Sequence, residues 1–169
     1  MDTTPLRGAY DALLDAAATV ADSKETVSVP PSGEWNAEQI LAHVAIINAA
    51  TIAAVSAIAS GTNTTFDNRI SQDTWTIERV IVLAGGNAGL RDRIRIQGDA
   101  LCALGGAMLS DAELDTPVAT RLLSNGTCLV DQPLPLRDLI TGLAQAELPG
   151  HTKQLLGLLS NGPGDESPR

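Results

Sequence analysis

The chain has 169 residues, of which 44% are hydrophobic and 18% charged, and a formal charge of −9 at pH 7. That length suits one domain with a sizeable core, and the acidic balance excludes a phosphate-tracking surface, because nucleic-acid binding needs concentrated Lys and Arg. Only Tyr10, Trp35, Phe66 and Trp75 are aromatic, so the core must rest on Ala, Leu, Ile and Val, a composition that favours closely packed helices.

Pro5 is a favoured first-turn residue, and Leu6, Tyr10, Leu13, Leu14 and Ala17 make a stripe at helical spacing. A first helix is therefore expected to run to Asp22. Lys24 to Trp35, with Pro30, Pro31 and Gly33, reads as an extended connection ending in a turn. The second helix starts strongly, since Asn36 and Gln39 have the spacing of a capping box, and it is expected to end near Ser60-Gly61. Trp35 precedes the cap and is placed to pack across the helix entrance. Ile40, His43, Ile47 and Ala50 fall on one stripe, so His43 faces the core.

Ile40 to Ser60 has no charged side chain and is long enough for a membrane span. It leans on weakly apolar Ala, carries His43, Asn48, Thr51 and Ser56, and lacks flanking cations closer than Lys24 and Arg69, so it reads as a core helix and no membrane is implied. Gly61 to Gln72 reads as a loop. From Asp73 to Met108 a helical pattern is interrupted by Gly85-Gly86, Gly89 and Gly105-Gly106, which predicts a helix that is kinked, thinned for close packing or broken in two. Asp111 to Leu134 reads as an irregular connection, with a small hairpin signal at Asn125-Gly126.

The last helix is expected from Pro135 to the terminator Ser160-Asn161-Gly162-Pro163. Steps of four from Leu143 reach Glu147, His151 and Leu155, so two polar groups lie on the apolar stripe. Residues 1–163 make one domain, and 164–169 read as a disordered tail. Cys102 and Cys128 are too few and too far apart for a disulfide framework, and the start has no apolar export signal, which predicts a cytoplasmic protein.

These elements predict an all-α four-helix bundle in which His43, Glu147 and His151 converge. Three protein ligands leave a coordination position free, the arrangement of catalytic rather than structural zinc. The same spacing equally suits a hydrogen-bonded core histidine and a Glu–His ion pair, so spacing alone leaves both readings open.

Gly33-Glu-Trp35-Asn-Ala-Glu-Gln-Ile-Leu-Ala-His43 resembles the Trp-to-His signature of the DinB-like superfamily, and Glu147-x-x-x-His151-x-x-Gln154-Leu155 resembles its fourth-helix ligand motif. Phe66-Asp67-Asn68 and Asp115-Thr-Pro117-Val118 fit the same pattern. Glu147 stands where many members carry a histidine, which is similar to the mycothiol-dependent maleylpyruvate isomerase branch, whose amino-terminal domain holds zinc by His, Glu and His. The resemblance implies a DinB-like bundle, a divalent metal on His43, Glu147 and His151, and mycothiol as the thiol. It further implies a thiol that loses its proton and attacks a small electrophile, in S-transfer or in isomerisation. Zinc follows from the ligand types, with nickel, iron and manganese compatible. The isomerase has a second domain, so a stand-alone S-transferase is the nearer architecture. The competing reading is a non-catalytic small-ligand-binding or interaction protein that keeps the bundle fold.

Asp67, Asn68 and Arg79 are candidate cofactor-binding residues. Arg79, Arg91 and Arg95 have the charge to clamp a carboxylate, or form a solvated helix face. Pro149, between two ligands, is expected to kink the last helix and redirect Glu147 relative to His151. Cys102 reads as a small core hydrophobe and Cys128 as a more exposed thiol without a basic partner. The oligomeric state is open, a homodimer included.

Overall fold

The computed structural model describes residues 1–23, 33–124 and 126–160, so most of the expected extended connection, Asn125 of the hairpin signal and the expected tail lie outside the described residues. Helix α1 spans Thr4–Asp22 and buries Leu6, Tyr10, Leu13, Ala17 and Val20 along one stripe. Helix α2 spans Ala37–Ala59 and opens with the expected capping box. Gln39 N–H donates to the Asn36 side chain at 2.9 Å and Asn36 N–H donates to Gln39 Oε1 at 3.0 Å. Two orphan donors of the first turn are thereby satisfied. α2 is long and apolar enough to cross a membrane, but 67% of its most apolar window is buried by the rest of the fold. Its apolar surface is consumed by packing against other helices, as expected of a core helix.

The long helix expected over Asp73 to Met108 is broken in two. α3 (Thr74–Ala84) ends at Gly85 and α4 (Asn87–Ala103) begins after Gly86, with φ of 79° and 84° at the two glycines. Consecutive left-handed residues turn the chain out of one helix and into the next, which side chains with a Cβ resist. α1 packs on α4, and α2 packs on both α3 and α4. Close approach of α1 to α4 depends on Gly98, where an added Cβ would lie 2.9 Å from the Tyr10 ring.

The mostly helical expectation holds, and a three-stranded sheet corrects the clean four-helix bundle. β1 (Thr65–Asp67) falls in the predicted loop and pairs parallel to β2 (Pro117–Ser124), which pairs antiparallel to β3 (Thr127–Pro135). A short helix α5 (Asp111–Leu114), capped by Ser110, leads into β2. The predicted irregular connection is thus mostly a hairpin whose inward positions, Val118 and Thr120, alternate with exposed ones. Pro133 is tolerated because β3 is an edge strand with no ladder partner on its far side among the described residues. The register shifts between Leu122 and Leu123, which oppose Val130 and Cys128, so Leu129 is the extra residue of a bulge. The chain is therefore mostly helical with a small sheet, rather than a clean four-helix bundle.

The last helical segment runs unbroken from α6 (Leu136–Gly142) through a π turn (Leu143–Glu147) into α7 (Leu148–Ser160). It packs on α1 and α2. The Leu148 N–H donates to the Leu143 carbonyl, five residues back. In a regular α-helix the ring of Pro149 would strike the carbonyl four residues before it. Widening the preceding turn removes that clash, so the proline is accommodated by a π turn with Glu147 as its last residue.

Candidate metal centre

His43 lies in the second turn of α2 and is 4% exposed. Its Nδ1 is 2.8 Å from the Ser71 carbonyl and its Nε2 is 2.9 Å from Glu147 Oε1. A main-chain carbonyl can only accept, so Nδ1 carries the proton and Nε2 of the neutral ring presents a lone pair. His151 repeats the pattern one turn after Glu147. Its Nδ1 is 2.7 Å from Gln154 Oε1 and its Nε2 is 3.2 Å from the same Glu147 oxygen. With both Nδ1–H groups donated to carbonyl-type oxygens, two imidazole lone pairs and a carboxylate face one another in a partly desolvated site.

A cation relieves that crowding of acceptors, whether a proton on a ring or a metal ion. The three ligand atoms lie within 4.8 Å of one another. Tetrahedral ligands at roughly 2.1 Å from a zinc ion stand about 3.4 Å apart; the carboxylate oxygen is 2.9 and 3.2 Å from the two rings, and the set spans up to 4.8 Å, so the rings would draw together around an ion. The donor set therefore fits a divalent ion. Nδ1–H bonds to carbonyl oxygens are also the usual outer support of metal-ligating histidines. In the alternative with protons on the rings, burial still raises the proton affinity of Glu147, but hydrogen bonds and charge from His151 and His43 outweigh it and hold the carboxyl well below its ordinary range.

The Ser71 carbonyl is aimed by the sheet. Beyond Asp67 the ladder of β1 is continued by a side chain, since Asn68 Nδ2 donates to the Leu123 carbonyl and the Leu123 N–H donates to Asn68 Oδ1, both at 2.8 Å. The Ser71 hydroxyl donates back to the Asn68 carbonyl at 2.6 Å. A 3₁₀ turn over Arg69–Gln72 then delivers the Ser71 carbonyl to His43. The sheet, of which the sequence signalled only the Asn125-Gly126 hairpin, is what orients the first histidine.

Trp35 is more than a plug at the helix entrance. Its ring centroid is 4.7 Å from that of His43 and 6.4 Å, nearly parallel, from that of His151. It covers both imidazoles and joins Gln72, Leu122, Leu129, Glu147 and Gln154 in lining a cavity of about 820 Å³. That volume is within the range of small-ligand sites. The bulged Leu129 stands 66% exposed at this cavity.

The structure thus brings together His43, Glu147 and His151 and adds Asn68, whose role is to pin the loop. Asp67 and Arg79 are not among the cavity-lining residues. The Asp67 carboxyl binds Arg69 at 2.8 Å, a hydrogen bond that lowers its proton affinity, and Arg79 is exposed on α3. Among the described residues the cavity wall contains no Lys or Arg, so the expected arginine clamp is not found there. Arg95 pairs with Asp92 instead. Cys102 is buried and Cys128 exposed, both as free thiols. Gln154 carries a visible signal, three residues after His151. The Ser71 carbonyl has none, because every residue has a carbonyl.

The chain matches no protein-family model, no curated protein and no solved structure.

Proposed function

We propose that His43, Glu147 and His151 hold a divalent metal ion, zinc by ligand type, and that the protein is a metal-dependent S-transferase joining a small thiol to an electrophile. The observation that carries this reading is the convergence of two imidazole Nε2 atoms on one carboxylate oxygen, with both Nδ1 atoms committed to carbonyl oxygens. When bound, such an ion supplies Lewis acidity at an open position and favours proton loss from a thiol. The chain's own residues hold the ligand atoms in register, shield them under Trp35 and offer the second substrate a wall of Leu122, Leu129 and the Gln72 and Gln154 amides.

The resemblance to a DinB-like bundle and to the maleylpyruvate isomerase branch makes mycothiol the favoured thiol. Absence of cationic side chains from the described cavity wall supports an uncharged, amide-bearing thiol and a neutral electrophile over a dicarboxylate substrate. Pro149 was the local reason to expect a dead site and a non-catalytic binding protein. The π turn supports activity instead, because Glu147 and His151 remain 3.2 Å apart.

Elemental analysis after exhaustive dialysis tests the metal, and consumption of thiol with a chloro-dinitro-aromatic tests the transfer, in which a carbon–sulfur bond forms and chloride leaves. About one equivalent of metal is expected in the parent and little in His43→Ala or His151→Ala. A parent that takes up no zinc on reloading overturns the metal site. A metal-loaded parent that consumes no thiol overturns the transferase and leaves a binding protein.

A further inference from the structure

α3 buries its Ile77 side, backed by the partly buried Val80, Ile81 and Ala84. Its other side is left in water, with Trp75 73%, Val82 70% and Leu83 61% exposed. The chain has only four aromatic residues, and α3 leaves one of its indoles and two aliphatic side chains in water along a single helix face. At about 100° per residue, Trp75, Arg79 and Val82 fall on one line, flanked by Glu78 and Leu83. Neither Glu78 nor Arg79 has an ion-pair partner among the described residues.

We infer that this face is an interface between two copies of this chain, with α3 packed antiparallel on its twin about a twofold axis between Glu78 and Arg79. The run Trp75-x-x-Glu78-Arg79-x-x-Val82 is self-complementary in that arrangement: apolar ends enclose a charge pair of opposite sign. At a rise of about 1.5 Å per residue, Trp75 and Val82 each lie about 5 Å from the axis. Trp75 therefore comes level with the partner subunit's Val82, and Glu78 comes level with the partner subunit's Arg79. A twofold repeats both contacts, which is what an isologous interface requires. Parallel packing would instead set Glu78 beside the partner subunit's Glu78. The 11 residues of α3 span only about 16 Å, so the contact is small and the dimer is a reversible one with a micromolar dissociation constant.

This inference is independent of the metal reading. Sedimentation velocity on the full chain, from about 1 μM to about 1 mM, tests it. The parent should move from monomer to dimer across that range. Trp75→Ser should weaken association at least about thirtyfold. Glu78→Arg or Arg79→Glu alone should each weaken it about tenfold by placing like charges together, and the double reversal Glu78→Arg/Arg79→Glu should return it to within about threefold of the parent. All these positions are exposed, and circular dichroism checks that each variant keeps its helix content. A parent that stays monomeric throughout overturns the proposal and leaves the face to a different protein. A dimer that ignores Trp75→Ser, or a double reversal no better than the singles, overturns it as well.

Discussion

Asn48 and His43 are little more than one turn apart on α2, yet each anchors a buried polar cluster of a different kind. Around Asn48 each side-chain donor atom has an acceptor. The Tyr10 hydroxyl donates to Asn48 Oδ1 at 2.7 Å, Asn48 Nδ2 donates to Gln97 Oε1 at 3.4 Å, and Gln97 Nε2 donates to the Ala45 carbonyl at 3.0 Å. Burial pushes the Tyr10 phenol far above its ordinary range, so it stays a donor. Around His43 two ring nitrogens are turned on one carboxylate oxygen, and with neutral rings whose Nδ1–H groups are donated elsewhere all three are acceptors. A closed network ties α1, α2 and α4 together, whereas an acceptor-rich one has room for a cation. Burial of polar groups is common to both, and the balance of donors tells structure from site.

The largest effect expected from breaking that contrast is loss of the proposed metal binding. Glu147→Gln keeps the shape of the side chain but removes its charge, and the dialysed protein should retain almost no zinc by elemental analysis, while Asn48→Leu should retain a full equivalent. In urea denaturation Asn48→Leu should cost about 3 kcal/mol, because the Tyr10 hydroxyl and the Gln97 amide lose buried partners. Gly98→Ala should cost about 2 kcal/mol by driving a methyl group into the Tyr10 ring. Asn68→Ala touches no ligand, yet it frees the loop that aims the Ser71 carbonyl, and competition with a chelator should show zinc affinity falling roughly tenfold, about 1.4 kcal/mol. Smallest should be the joint replacement of Glu147 and His151 by Leu in metal-free protein. Its stability should stay within about 1 kcal/mol of the metal-free parent or exceed it, since an acceptor-rich cluster is replaced by apolar packing. A large loss there would mean that the cluster is structural.

Much of the site was legible because it sits on regular helices. The Asn36–Gln39 capping box fixed the start of α2 and thereby the inward face of His43, and the four-residue steps from Leu143 reached Glu147 and His151. The sheet was harder to read, since Pro117, Pro133 and Pro135 punctuate its strands and β1 is only three residues long. Pro149 was visible, but sequence alone does not say whether a helix kinks, breaks or widens around a proline. The Tyr10–Asn48–Gln97 network was hidden for a different reason, because its members lie on three helices whose relative rotation no local pattern specifies.

The two tryptophans give the molecule a built-in optical readout of two separate events. Trp35 lies against both imidazoles, where an ion taken up by the proposed ligands would change the surroundings of the indole and hence its emission. Trp75 is in water, where its emission is red-shifted and open to a soluble quencher until something covers α3. One spectrum, recorded with and without the quencher, therefore separates occupancy of the centre from coverage of the distant helix face, without a label and in the native chain.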